Sequence, residues 1–122
     1  LRLTDNLEGN YTFAKGGSDN SINGLNGKPQ NVRFTNDSTR STVAVFGVNS
    51  FIVLPGAEEF KIRDHDFSVA AWIKIKEYLP NKNDYCILGT KNNSYQQGIH
   101  LLIRNKKPYF GFYNNDLQGK TI

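Results

Sequence analysis

An all-β fold, an antiparallel β-sandwich, is the class this 122-residue sequence predicts, on three observations. Between Asp66 and Lys76, Phe67, Val69, Ala71, Ile73 and Ile75 alternate with Ser68, Ala70, Trp72, Lys74 and Lys76. Side chains in a strand point to opposite faces in turn, so this period lays an apolar row on one side, suited to packing on a second sheet. Short apolar segments, about eight of them, recur between clusters of Asn, Gly, Asp, Ser and Pro, as in a sandwich of short strands. No segment sustains the 3.6-residue period of a helix; Ala57–Phe60 could form one helical turn. The row at 66–76 is the strongest strand signal and is expected to be the centre of the fold, with Phe67, Val69, Ala71 and Ile73 buried. Trp72, on its other face, reads either as a second-layer packing residue or as a ring open to a sugar.

In chain order, Leu1–Leu3 and Tyr11–Phe13 suggest one or two opening strands. Residues 16–27 hold Gly16, Gly17, Asp19, Asn20, Asn23, Gly24, Asn26 and Gly27, a composition that favours turns. Asn31–Thr35 alternates as a strand, and residues 36–40 read as a turn. Ser41–Phe46 and Ser50–Leu54 read as strands joined in a hairpin through Gly47-Val48-Asn49. Pro55-Gly56 stops the second of them. After the central stretch, Tyr78–Asn83 is a loop and Tyr85–Gly89 a strand. Gly98–Arg104 and Pro108–Tyr113 form a hairpin across Asn105-Lys106-Lys107, and residues 114–119 close on a turn.

Composition narrows the function classes. The net charge of +4 is uneven: residues 67–122 carry 8 basic and 3 acidic side chains, residues 1–66 carry 7 and 8. The basic residues are dispersed rather than clustered with aromatics, so no nucleic-acid partner is expected. No apolar run approaches the roughly 18 residues of a membrane helix, so no membrane insertion is expected. The single cysteine, Cys86, excludes an internal disulfide framework and reads as a buried structural thiol.

Catalytic chemistry finds little support. A glycosidase needs two carboxylates about 5–9 Å apart across the scissile bond. None of Glu8, Glu58, Glu59 and Glu77 has an acidic partner on the same strand face, and Asp64 and Asp66 precede the central strand. Asp64, His65 and Asp66 with His100 fit no recurrent transition-metal ligand spacing. Glycan binding asks for a flat aromatic beside side chains that hydrogen-bond hydroxyls. Tyr78, Tyr85, Tyr95, Tyr109 and Tyr113 can supply the ring. Asn92, Asn93, Gln96, Gln97, Asn114 and Asn115 can supply the amides. The loops after the central stretch combine both, which selects Tyr78, Asn93, Tyr95, Gln96 and Gln97 as the carbohydrate site.

Several of these segments, in order, resemble the laminin-G-like, concanavalin-A-like jelly-roll family of extracellular proteins. The similarity rests on Tyr11-Thr12-Phe13 followed by Asp19-Asn20-Ser21 and Asn23-Gly24. It continues with Ala44 to Pro55 and with Phe67-Ser68-Val69-Ala70-Ala71-Trp72-Ile73-Lys74. Ile87-Leu88-Gly89-Thr90-Lys91 and the hairpin from Gly98 to Phe112 complete it. The family's later Trp-His-His and Tyr-x-Asp-Gly strands have no counterpart here. The resemblance therefore implies one jelly-roll domain over 1–122 that lacks its C-terminal strands and leaves strand edges open to other domains or chains. It also implies a secreted or cell-surface lectin-like module and a structural calcium near the first loop. Asp19 is the best side-chain ligand for that calcium and the Gly47 carbonyl a second, since calcium takes hard oxygen donors. The expected function is non-catalytic carbohydrate binding as part of a larger protein. The alternatives are an adhesion or protein-interaction module, or part of a glycosidase whose carboxylates lie elsewhere.

Overall fold

The computed structural model describes residues 6–62, 65–90, 98–112 and 114–122. The chain divides into two compact units, Leu1–Ser68 and Val69–Ile122. Among the described residues there are eight strands: β1 Lys28–Gln30, β2 Arg33–Asp37, β3 Ser41–Val45, β4 Phe51–Val53, β5 Asp84–Gly89, β6 His100–Arg104, β7 Lys107–Gly111 and β8 Asp116–Gln118. All pairings are antiparallel, and no helix occurs among the described residues. The expected all-β antiparallel class is therefore observed.

The first unit carries two small sheets, β1–β4 and β2–β3. The β2–β3 hairpin forms because Asp37 accepts the N–H groups of Thr39 and Arg40 at 2.9 and 3.0 Å, and Ser41 takes a positive φ to re-enter the ladder. The hairpin expected across Gly47-Val48-Asn49 is not formed. β3 pairs back onto β2, and β4 pairs with β1 in the register Lys28↔Val53 and Gln30↔Phe51. The 47–50 turn instead links two sheets. Ser50 Oγ donates to the Asn31 carbonyl at 2.6 Å and accepts from the Gly47 N–H at 3.0 Å. Residues 11–13 form no strand; Phe13 has φ 62° and its ring lies 6.1 Å from that of Phe34. Residues 57–61 make one turn, with the Phe60 N–H reaching the Gly56 carbonyl.

The second unit carries the largest sheet, in the order β5-β6-β7-β8. β6 is flanked on both sides, and Ile99, Leu102 and Ile103, on or beside it, are the buried apolar side chains among the described residues. The β6–β7 connection is a two-residue turn at Asn105-Lys106, both with positive φ, closed by the pair Arg104↔Lys107. That geometry matches the strand twist of a tight hairpin. β8 was expected to be part of a turn. Asp116–Gln118 instead pairs with Tyr109–Gly111, because the turn ends at Asn115, whose carbonyl accepts the Phe112 N–H.

The main departure from expectation is the stretch 66–76. It belongs to none of the three sheets. Val69, Ala71 and Ile73 are exposed, Phe67 and Ile75 are half-buried, and Trp72 is 81% exposed. A period-two apolar row makes a segment fit for a strand, but a strand exists only where a neighbour completes its ladder, and the row carries no information about that neighbour. Trp72 is thus not a core residue. Trp72→Ala is expected to change the unfolding free energy by less than about 1 kcal/mol, as for surface substitutions generally, which chemical denaturation measures. Cys86 also departs from expectation, since it is an exposed residue. Its thiol nonetheless stays protonated at neutral pH, because partial burial of the sulfur and then the Asp84 carboxylate push its pKa up.

Candidate functional site

Asp19 lies in the turn-rich loop of the first unit and is only 8% exposed. Its Oδ1 accepts the N–H groups of Asn10 at 2.7 Å and Ser21 at 2.8 Å. Its Oδ2 accepts the Ser21 hydroxyl at 2.6 Å and the Leu25 N–H at 2.8 Å. Its own N–H donates to the Asn26 side-chain oxygen at 2.9 Å. Burial alone would push the carboxyl pKa up, but the Ser21 hydroxyl and the three N–H groups outweigh it and hold the pKa near about 2. Tyr11, whose hydroxyl donates to the Leu25 carbonyl at 2.5 Å, is pushed up to about 12 by burial and by Asp19. Two glycines let the loop close. The Gly27 N–H donates to the Gly17 carbonyl at 2.8 Å, and a Cβ on Gly17 would collide with the Gly27 backbone.

This donor set does not fit calcium. The cation needs oxygen lone pairs, whereas each Asp19 oxygen already accepts two donors whose positive ends face the carboxylate. The Gly47 carbonyl accepts the Ser50 N–H at 3.3 Å, within the turn before β4. Among the described residues no group of three or more His, Cys, Asp and Glu could hold a metal ion. Asp64 lies outside the described residues. Asp19 is the organiser of its loop.

The second place is a cleft of about 430 Å³ lined by Tyr78, Leu79, Asn81, Lys82, Asn83, Asn105 and Lys106. Its position follows from the sheet register. β5 starts at Asp84 opposite Arg104, the last residue of β6, so the loop before β5 and the turn after β6 share one end of the sheet. The Asn105 N–H donates to the Asn83 carbonyl at 3.0 Å and joins them. Directly behind this junction Arg104 holds Asp84 through two hydrogen bonds of 2.8 Å. That bond from Arg104, more than the opposing burial, keeps the Asp84 carboxyl below its ordinary range. Tyr85 fixes the other wall: its hydroxyl accepts the Leu79 N–H at 2.6 Å and its ring stands perpendicular to that of Tyr78, 5.5 Å between centroids. Lys106 Nζ lies 5.2 Å over the Tyr78 ring, and Lys82 Nζ lies 5.1 Å over the Tyr85 ring. Tyr78 itself is 37% exposed.

Of the five carbohydrate residues expected from the sequence, Tyr78 lines this cleft. Asn93, Tyr95, Gln96 and Gln97 lie outside the described residues, as do Asn92 and Tyr113. Asn114 and Asn115 are exposed in the β7–β8 connection. Tyr85 is an anchor for the cleft. Tyr109 sits on the sheet among protein groups: its hydroxyl donates to Asp116 at 2.7 Å, Arg104 lies 4.4 Å over its ring, and His100 stacks at 5.8 Å. The cleft's amides Asn81, Asn83 and Asn105 were not singled out from the sequence. A tyrosine followed by an Asn-Lys-Asn loop was legible, but its approach to a turn some twenty residues later depends on strand register.

Comparison with protein-family models, curated proteins and solved structures gives no match for the chain.

Proposed function

We propose that this chain is a non-catalytic carbohydrate-binding module of a secreted or cell-surface protein, a concanavalin-A-like jelly-roll β-sandwich that holds its saccharide in the Tyr78 cleft. The observation that carries this reading is the lining itself. One partly exposed aromatic ring stands beside three amide side chains in a concavity whose two sides are tied by hydrogen bonds. Amides offer both donors and acceptors, as sugar hydroxyls require, and the ring offers a flat apolar surface to a pyranose face. Among the described residues no carboxylate lines the cleft, and hydrolysis of a glycosidic bond uses two, an acid and a nucleophile or base.

The site is open and shallow, so the expected dissociation constant lies between about millimolar and micromolar, roughly −4 to −8 kcal/mol. Titration calorimetry after a glycan array tests it. Tyr78→Ala is expected to weaken binding at least about tenfold, the loss of one aromatic contact, with the melting temperature nearly unchanged. Undiminished binding by that variant would place the site elsewhere. A second reading, a protein-interaction module without a glycan site, is favoured by the exposed Val69, Trp72 and Ile73. An array with no bound glycan would leave that reading standing.

A further inference from the structure

We infer that the Tyr78 cleft selects an anionic saccharide, one whose ring bears a carboxylate or a sulfate; the inference rests on the carbohydrate-binding reading above. The charged residues of the lining are Lys82 and Lys106, and both are cations. Neither makes an ion pair among the described residues. The two carboxylates of the β5–β8 sheet are engaged elsewhere. Asp84 is held by Arg104, and Asp116 by the Tyr109 hydroxyl, with His100 Nε2 at 3.5 Å. Glu77, beside Tyr78 in sequence, is not part of the lining. Among the described residues the cleft therefore carries two positive charges without a compensating negative one.

The lysines are also placed. Lys106 occupies the second position of the two-residue β6–β7 turn with φ 61°, so its backbone is fixed by the hairpin. Its ammonium lies over Tyr78 and that of Lys82 over Tyr85, which seats both charges against rings packed on each other. A site for neutral sugars has no use for a lysine pair, because a hydroxyl gains little over water from an ammonium that must be desolvated to meet it. An anionic substituent gains a charge-assisted hydrogen bond, while Asn81, Asn83 and Asn105 remain for its hydroxyls. Lysine is a compact point charge without the planar fork of arginine, so the cleft is matched to negative charge rather than to carboxylate or sulfate shape.

The test titrates the full chain with three oligosaccharides of equal length: one of uronic acids, one sulfated and one neutral. Titrations are run at low and at physiological ionic strength. The expected result is that at least one acidic oligosaccharide binds about tenfold more tightly than the neutral one, as two exposed ion pairs would give, and that added salt narrows the gap. Combined Lys82→Gln and Lys106→Gln should remove that advantage, so that the acidic and neutral oligosaccharides bind the variant alike. Lys15→Gln with Lys28→Gln, the same charge change outside the cleft, should leave the advantage intact. Equal affinity for acidic and neutral sugars overturns the inference and leaves the carbohydrate reading in place. Equal loss from the control pair also overturns it, since the preference would then belong to the overall charge. Binding of none of the three overturns both readings.

Discussion

Asp19→Ala is expected to cost about 3 kcal/mol or more of folding stability, an unusual loss for a loop position. Removing the carboxylate takes away the acceptor for four donors at once and leaves the half-buried N–H groups of Asn10, Ser21 and Leu25 without it. Hydrogen bonds to an ionised group contribute about 1.5–3 kcal/mol each, and unsatisfied buried donors add their own desolvation cost. Asp19→Asn should also destabilise, because its amide NH₂ would face donors on one side. Denaturant unfolding of the two variants checks the order, and wild-type-like stability in Asp19→Ala would refute the role assigned to this residue.

The same carboxylate gives a dependence on pH whose direction is fixed. Its folded-state pKa, about 2, lies below the ordinary 3.8, so the folded state binds the proton less well than the unfolded chain. The stabilisation is complete above about pH 5 and is lost progressively as the pH falls through 2 towards about 1, amounting to about 2 kcal/mol for a shift of this size. Stability measured across that window should fall in the native chain. Asp19→Asn, which cannot titrate at 19, should show a shallower fall.

Ile103→Ala is expected to cost about 2–4 kcal/mol, the range for emptying a packed aliphatic site. Ile103 is 2% exposed, on a strand with neighbours on both sides. Leu117→Ala, on the edge strand β8 and 73% exposed, should cost under about 0.5 kcal/mol. Melting curves of the pair measure how unevenly stability is distributed over one sheet. The contrast matters because so few apolar side chains in the described residues are buried, and those few lie on or beside β6.

What the sequence revealed was local. The β6–β7 hairpin is announced by alternation on both sides of Asn105-Lys106, and β3 by its run of β-branched residues, since each signal lies within a few positions. The pairing of β1 with β4 was not legible. Lys28, Pro29 and Gln30 carry no strand signal, and Pro29 is tolerated because β1 has a neighbour on one side. β8 was hidden for the same reason, as three exposed residues between turn formers. At the loop, Asp19 was visible as an oxygen-bearing residue among turn formers. Composition could not tell a carboxylate that takes a cation from one that collects N–H groups, because the difference lies in where the backbone amides point. At the cleft, Tyr78 was recognisable as an aromatic in a polar loop, whereas Asn105 and Lys106 join it only through the β5–β6 register.

The stretch 66–76 has a consequence for the lifetime of the intact chain. A protease needs backbone it can draw into an extended groove, and membership of a sheet denies it that. Lys74 and Lys76 lie exposed in a segment outside every sheet, a few residues past the boundary between the two compact units. Trypsin at low dose is therefore expected to cut there early, yielding fragments that approximate the two units. Lys82, Lys106 and Lys107 sit at the hydrogen-bonded turns or in the ladder of the β5–β8 sheet, and cuts at these three should come later.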